Sequence, residues 1–463
     1  EWFLQSKRRS MTVAEIPEGT INATVIDRRY IRGIPRRGSL ALYKEDALGW
    51  RFMRPLKIAL LSRWYAEEHR RTGGKGTVQQ LAEAVAGLGH EVVVLSQSKA
   101  VAALEKTRPG ELGALEVWLS PREKRRGGWT GLRDRWEKRR FGHRKACSDA
   151  LDLRDFLAAR GPFDALWAQC EEPDGLVAAV AARLGVALPP TLTQVYALRY
   201  DFAKDGPAFW GHAALRAAFA QATRIAADSE LVARHLEMYA GPALALETLR
   251  EKTRVVYHNL QHGFLAAAQA DGPAPEPGRV LFLGALNEKK GAVVFLEAAA
   301  RIAPATKATF AVIGDTTEHN AAFDRRWATQ LAAARASGAK LELLGKLPAA
   351  EVITQIRRAS VVVLPSLFDE FSRALVEALV LGCPVVTTET VGASPFVRDA
   401  KAGIVVAPAD AAALANAIVE VLRHNETYAA NARAIAPRLA HELSPHAIAL
   451  QIARHLSEIV EAK

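Results

Sequence analysis

Cysteine is scarce in this chain of 463 residues. There are three, at positions 147, 170 and 383, too few for a multi-disulfide framework and without the C-x-x-C pairing that holds zinc. That pattern points to a reducing compartment, and the cytoplasm is the expected location. Long apolar runs are missing as well. No uninterrupted stretch approaches the roughly 18 to 20 residues a membrane-spanning helix requires, and the opening EWFLQSKRRSMTV lacks the apolar centre of a signal peptide. Neither insertion nor export is expected. With 49% hydrophobic and 24% charged residues, disorder and collagen are excluded, and the length suits two or three domains.

Acidic residues are in deficit: Lys+Arg 61 against Asp+Glu 50 gives a net charge of +11. An excess of this sign favours anionic partners. Its placement matters more than its size. Between Arg122 and Lys145 stand eleven Lys/Arg against Glu123, Asp134 and Glu137, so this segment supplies +8 of the excess. The remainder is nearly balanced and no nucleic-acid module accompanies the charge, which argues against a nucleic-acid partner. Trp129, Trp136 and Phe141 lie among the arginines, with Leu132 and Trp136 spaced i, i+4. Such a segment suits an anionic membrane surface. It equally suits a phosphate-bearing ligand, or a solvated loop with a short amphipathic helix.

From Leu56 onward short β-rich runs alternate with helical patterns, the signature of α/β domains with parallel sheets. KIALLS, EVVVLSQ, LEVWL, DALWA, LTQV, RIAA and RVVYH form one series of strands. After the Pro-rich break DGPAPEPG, RVLFLGA, TFAVIGD, LELLG, VVVLP, PVVTT and GIVVA form a second. Two Rossmann-like units are expected to meet at this break, near Gly272 to Gly278, with the last strand of the first unit just before it. The boundaries read as an extension over 1–52, a first unit over 53–258, a second over 259–435, and a C-terminal helix over 436–463 that returns toward the first unit.

Two places carry candidate chemistry. After the first strand, Thr72, Gly73, Gly74, Lys75, Gly76 and Thr77 lead into a helix, and glycines with free amides at a helix start favour an anion. The spacing is not that of a P-loop, and the dinucleotide pattern G-x-G-x-x-G fails at Gln79. A plain strand-to-helix turn is the alternative. Late in the second series, a buried strand ends at Pro365 and Ser366, and a helix starting near Phe371 carries Glu377 until Gly382 and Pro384 stop it. Asp369 precedes that helix. One carboxylate then stands near an anion-attracting helix end, and the other where it can accept hydrogen bonds from hydroxyls. Capping by Asp369 and a solvated Glu377 are the alternative. His258 and His262, four apart without nearby carboxylates, are not read as a metal site, and His90 reads as a turn residue.

The run PSLFDEFSRALVEALVLGCPVV resembles the signature of the retaining GT-B glycosyltransferases of family 4, glycosyl transferases group 1. It matches at Pro365, Ser366, Phe371, Glu377, Ala378, Gly382, Pro384, Val385 and Val386. The likeness extends from about Leu56 to about Leu422, through TGGKGTVQQLAEAVAGLGHEVVVLSQ, ADSELVARHL, LGALNEKKGAVVFLEA and GIVVAPADAAALANAI. It implies two Rossmann-like domains facing across a cleft, and transfer of a sugar from a UDP- or GDP-sugar to a glycan, lipid-linked or small-molecule acceptor. Anomeric configuration is retained, no metal or other cofactor is required, and attachment to the inner face of a membrane is compatible. Carried over by position, Glu377 holds the ribose and Lys290 the diphosphate. Backbone amides around Phe371, Ser372 and Arg373 hold the phosphates, Gly345 and Lys346 face the base, and Gly73 and Gly74 close from the first domain. Asp369 takes the first acidic position beside the reacting sugar, so Asp369 and Glu377 are not a glycosidase acid and nucleophile.

The sequence departs from that pattern in specific ways. Asp369 stands where the family has Glu, Glu370 where it has Gly, Ala285 where it has Arg, Tyr196 where it has His, and Phe396 where it has Glu. Arg373 or Lys289 are left to supply the missing cation. These departures keep a second expectation open, a non-catalytic GT-B homologue that binds a nucleotide or a glycan as a partner subunit.

Overall fold

The computed structural model describes residues 54–62, 65, 77–96, 115–119, 132–136, 138, 146–169, 174–196, 200–201, 206–207, 212–242, 244–316 and 321–462. Among them are two parallel sheets. The first contains β1 (Lys57–Leu61), β2 (Glu91–Ser96), β3 (Glu116–Leu119), β4 (Ala165–Ala168) and β5 (Thr191–Val195). A minimal antiparallel pair, β6 (Tyr200–Asp201) and β7 (Gly206–Pro207), follows, and β8 (Arg224–Ala227) and β9 (Thr253–Val255) complete the sheet. Its order is β3-β2-β1-β4-β5-β8-β9. The second sheet contains β10 (Arg279–Leu283), β11 (Thr309–Ile313), β12 (Lys340–Gly345), β13 (Val361–Leu364), β14 (Val385–Thr388) and β15 (Gly403–Val406). Its order is β12-β11-β10-β13-β14-β15. Two Rossmann-like units are thus present, as the alternating pattern indicates.

These strands are continuous apolar runs because helices cover both faces of each sheet. Every residue of β13 is buried, and its register aligns Val361, Val362 and Val363 with Val280, Leu281 and Phe282 of β10. The edge strands depart: Leu343 of β12 is 44% exposed, and β9 and β15 are half-buried. At the turn into β2, His90 accepts a hydrogen bond from the Leu56 N–H at 3.1 Å, which is the turn role expected of it. In both sheets the strand order reverses beside the first strand, between β1 and β4 and between β10 and β13. The crevice beyond the carboxyl ends of strands at such a reversal is where ligands bind in open α/β sheets.

The last strand of the first unit does not run directly into the Pro-rich break. The helix His262–Ala268 intervenes, because Phe264 and Leu265 are apolar and are buried against helices of the second unit. At the other end, Asn425–Glu442 packs on the helix Arg373–Val380 of the second unit, and Pro445–Glu461 packs on Thr77–Gly87, β4 and β5 of the first. The latter helix starts cleanly: Pro445 sits in its first turn and the Ser444 hydroxyl accepts the Ala447 N–H at 3.1 Å. Ile448, Leu450, Ile452, Leu456 and Ile459 form its buried stripe. The chain therefore crosses between units twice, and the crossings touch where the Leu260 N–H donates to the Leu443 carbonyl at 2.7 Å. Among the described residues no helix is long and apolar enough to cross a membrane.

Candidate active site

A cavity of about 550 Å³ opens at the reversal point of the second sheet. Gly284 and Ala285 after β10, Gly314 after β11, Lys346 after β12, and Ser366 and Asp369 after β13 contribute to its wall. Across from them stand Tyr196, which follows β5, and Asp228, which follows β8. The carboxyl ends of the two sheets therefore face each other over one space.

The helix Arg373–Val380 points its N-terminus at this space. It begins two residues later than the expected start near Phe371. Ser372 takes the preceding position with φ +68° and ψ +84°, a left-handed conformation, and no side chain caps the helix. Its first amides are thus left for an anion. Asp369 does not cap it either. The carboxylate instead accepts from Lys290 Nζ at 2.6 Å, while the Asp369 backbone is fixed by N–H donation to Thr390 and by accepting from Gly392. Glu370 is engaged likewise, with Lys289 Nζ at 2.9 and 2.8 Å from its two oxygens. Of the two cations left to offset Ala285, Lys289 is therefore committed to a carboxylate. Arg373 lines the cavity and reaches across to donate to Thr77 Oγ1 at 2.7 Å.

Glu377, one turn into this helix, is not a solvated surface carboxylate. Burial pushes its pKa up to about 7, against the opposing pull of the Arg373 guanidinium. Ionised, it is a strong hydroxyl acceptor; protonated, it is a donor.

Lys290, Lys346, Asp369, Phe371, Ser372, Arg373 and Glu377 are brought together on the one cavity. Gly345 stands behind them, at the end of β12 with φ +65°, its carbonyl accepting from Gly314 at 2.9 Å. Gly73 and Gly74 lie outside the described residues, as do residues 1–52 and most of 122–145.

The departures from the family pattern have local reasons. Phe396 belongs to an aromatic cluster, 5.2 Å from Tyr257 and 6.5 Å from Phe371 between ring centroids. Tyr196 accepts a hydrogen bond from Gln169 and lies 4.7 Å from the His258 ring. Glu370 keeps its backbone in place through a contact between units, Ser229 Oγ donating to its carbonyl at 2.5 Å. Gly392 must be glycine for the same reason, since a Cβ there falls 1.9 Å from that carbonyl.

Sequence reasoning did not find Asp228 or His258 as parts of this wall. His258 carries a signal in being an imidazole beside the crossing between units, but its spacing from His262 speaks only to metal.

Models of known families match both units. The "Glycosyl transferase 4-like domain" matches residues 72–251 and "Glycosyl transferases group 1" matches residues 277–424. A curated relative, glycogen synthase of Mycobacterium tuberculosis, is 30% identical over 185 residues. That alignment spans 39% of this chain and 43% of the synthase, so the chain spans less than half the length of the curated relative it matches. Among solved structures, sucrose-phosphate synthase from Thermosynechococcus elongatus superposes with a TM-score of 0.62 at 19% identity, over 89% of this chain and 100% of that one. Anabaena HepE, solved with UDP and glucose, gives 0.59 at 18% identity over 87% and 99%. The chain thus carries a glycosyl transferase 4-like domain followed by a glycosyl transferases group 1 domain, on a GT-B fold.

Proposed function

We propose that the protein is a glycosyltransferase that moves a sugar from a UDP- or GDP-sugar to a hydroxyl of a glycan, lipid-linked or small-molecule acceptor, with retention and without a metal. One observation carries this reading: an uncapped helix N-terminus, three cations and a desolvated carboxylate, Glu377, converge on one cavity between two Rossmann-like units. Its volume is in the range of nucleotide-sized ligands. The diphosphate takes the amides of Phe371, Ser372 and Arg373 with Lys290 and Arg373, and the ribose hydroxyls take Glu377. Lys346 neighbours the base, and Gly73 and Gly74 approach from the first unit.

In the reaction the bond from the anomeric carbon to the diphosphate oxygen breaks, and its electron pair leaves with the phosphate. Fixed amides and cations stabilise that developing charge without reorganising. The acceptor hydroxyl forms the new bond on the same face, and its proton passes to an oxygen of the leaving diphosphate. Asp369, at the mouth of the diphosphate site, orients Lys290 and faces the sugar.

The test is nucleotide release from a panel of UDP- and GDP-sugars with candidate acceptors, beside thermal melting with UDP, GDP, ADP and CMP. A ligand at 100 times its Kd adds about 2.7 kcal/mol to folded-state stability. Selective stabilisation by one nucleotide with turnover that Glu377→Ala abolishes is expected. Binding without turnover favours the second reading, a non-catalytic nucleotide- or glycan-binding subunit, for which Ala285 and the carboxylate-engaged lysines speak.

The basic segment over 122–145 is proposed to hold the protein to an anionic membrane surface, on the inner face in a cytoplasmic setting. Of its described residues, Leu132 is 64% and Trp136 51% exposed. Asp134 ties this turn down by accepting from the Cys147 and Ser148 N–H groups at 3.0 and 3.1 Å. Reversing the charge at Arg125, Arg126, Arg139 and Arg140 is expected to weaken sedimentation with anionic vesicles, and unchanged sedimentation overturns the membrane role.

A further inference from the structure

Gln261 lines the cavity and is only 7% exposed. It stands just before the helix His262–Ala268 and does not cap it, which leaves its amide uncommitted. Among the described residues none hydrogen-bonds that amide, and neither amide atom is sealed from the surface. The little surface this side chain keeps therefore opens on the cavity. Buried polar groups are normally paired. A primary amide nine-tenths buried, with donor and acceptor both open at a cavity wall, marks a place where a ligand completes it.

Its position is fixed by the chain on either side. The Leu260 N–H donates to the Leu443 carbonyl, and the Gln261 carbonyl accepts from the Phe264 and Leu265 N–H groups at 3.1 and 3.3 Å. The helix that follows packs on two others. One is Arg373–Val380, which carries Glu377. The other is Ala349–Arg358, whose Ala349 and Val352 line the cavity together with Lys346 and Leu347 just before it. Phe264 is buried and belongs to the same lining. These contacts set Gln261 at the junction of the wall that holds Glu377 with the apolar wall of Leu347, Ala349 and Val352.

We propose that Gln261 is a specificity-determining residue whose side-chain amide hydrogen-bonds the edge of the donor's nucleobase. The assignment rests on the glycosyl-transfer reading above, which puts the ribose on Glu377 and the base beside Lys346. The base is joined to the ribose, and apolar walls suit its two faces. On one edge both uracil and guanine carry an N–H next to a carbonyl. A primary amide answers both groups at once, accepting from the N–H and donating to the carbonyl. A phosphate offers no donor and leaves the amide oxygen stranded. Removing the amide strands the edge of the base instead, and affinity falls for the base that the site was built to pair.

Gln261→Leu removes the amide and keeps an apolar side chain, and Gln261→Met does so at full length should the branched side chain disturb the fold. Wild type and variants are titrated calorimetrically with UDP, GDP, ADP and CDP, and with inorganic pyrophosphate as a probe without a base. Wild type is expected to prefer one of the four nucleotides. The variants are expected to bind that one at least about tenfold more weakly, while the disfavoured nucleotides and pyrophosphate shift by less than about twofold, so that the preference collapses. An unchanged preference overturns the role of Gln261 and leaves nucleotide binding intact. Equal weakening toward all four nucleotides and pyrophosphate shows a side chain that only supports the cleft, and also overturns it. A wild type that binds all four alike overturns base reading while glycosyl transfer stands. A wild type that binds no nucleotide overturns the transfer reading and this one with it.

Discussion

Lys290 Nζ lies 2.6 Å from Asp369 Oδ2, so the cation beside the helix N-terminus is already held by a carboxylate before any diphosphate arrives. A diphosphate must compete with Asp369 for that ammonium, and the pair sets a cost on binding. Asp369→Asn removes the competitor. It is expected to tighten UDP or GDP binding about three- to tenfold while slowing transfer, whereas Lys290→Ala weakens nucleotide binding more than tenfold. Calorimetry on both variants checks the opposite signs.

Glu377 gives a pH dependence with a definite direction. Its folded pKa, about 7, lies above the unfolded 4.5, so the folded state holds the proton more tightly. Stability is complete below about pH 4.5 as far as this group is concerned and declines as pH rises toward 7. Ribose hydroxyls favour the ionised form, so donor affinity rises over the same range. Glu377→Gln is expected to stabilise the protein above pH 7 by about 1 to 3 kcal/mol and to remove the pH dependence of nucleotide binding. Denaturant midpoints from pH 5 to 8 decide this.

Ser372 occupies the left-handed region with φ +68°, which costs a residue with a Cβ roughly 1 to 2 kcal/mol. Ser372→Gly removes that cost and leaves the backbone amide in place. A stability gain of about 1 kcal/mol with unchanged nucleotide affinity is expected, read from urea unfolding beside calorimetric titration.

Gly392 tests the seam between the units. A Cβ there falls 1.9 Å from the Glu370 carbonyl and 2.5 Å from Ser229 Oγ, so Gly392→Ala must displace the loop that carries Asp369. A loss of about 2 to 4 kcal/mol and a large fall in turnover are expected. Thermal melting and activity of the variant give both.

Much of this site is written locally. The strands before and after it are unbroken apolar runs, and Asp369, Phe371 and Glu377 fall within one short stretch of chain, where spacing alone indicates a loop leading into a helix. Contacts across the cleft are of another kind. Arg373 meets Thr77 and Ser229 meets Glu370 over separations of 296 and 141 residues, distances over which no periodicity speaks. The ion pairs of Lys289 and Lys290 were equally hidden, because a lysine beside a glycine looks the same whether it awaits a phosphate or already holds a carboxylate.

The bond between Leu260 and Leu443 ties the two crossings of the chain at one point. A single tether lets two bodies swivel in any direction. Two tethers joined by a backbone bond leave less freedom than either alone, because neither can shift without the other. Opening of the cleft would have to break the contacts of Thr77 with Arg373 and of Ser229 with Glu370. The far end of the chain, remote in sequence from the groups at the cavity, thereby shares in holding those contacts closed.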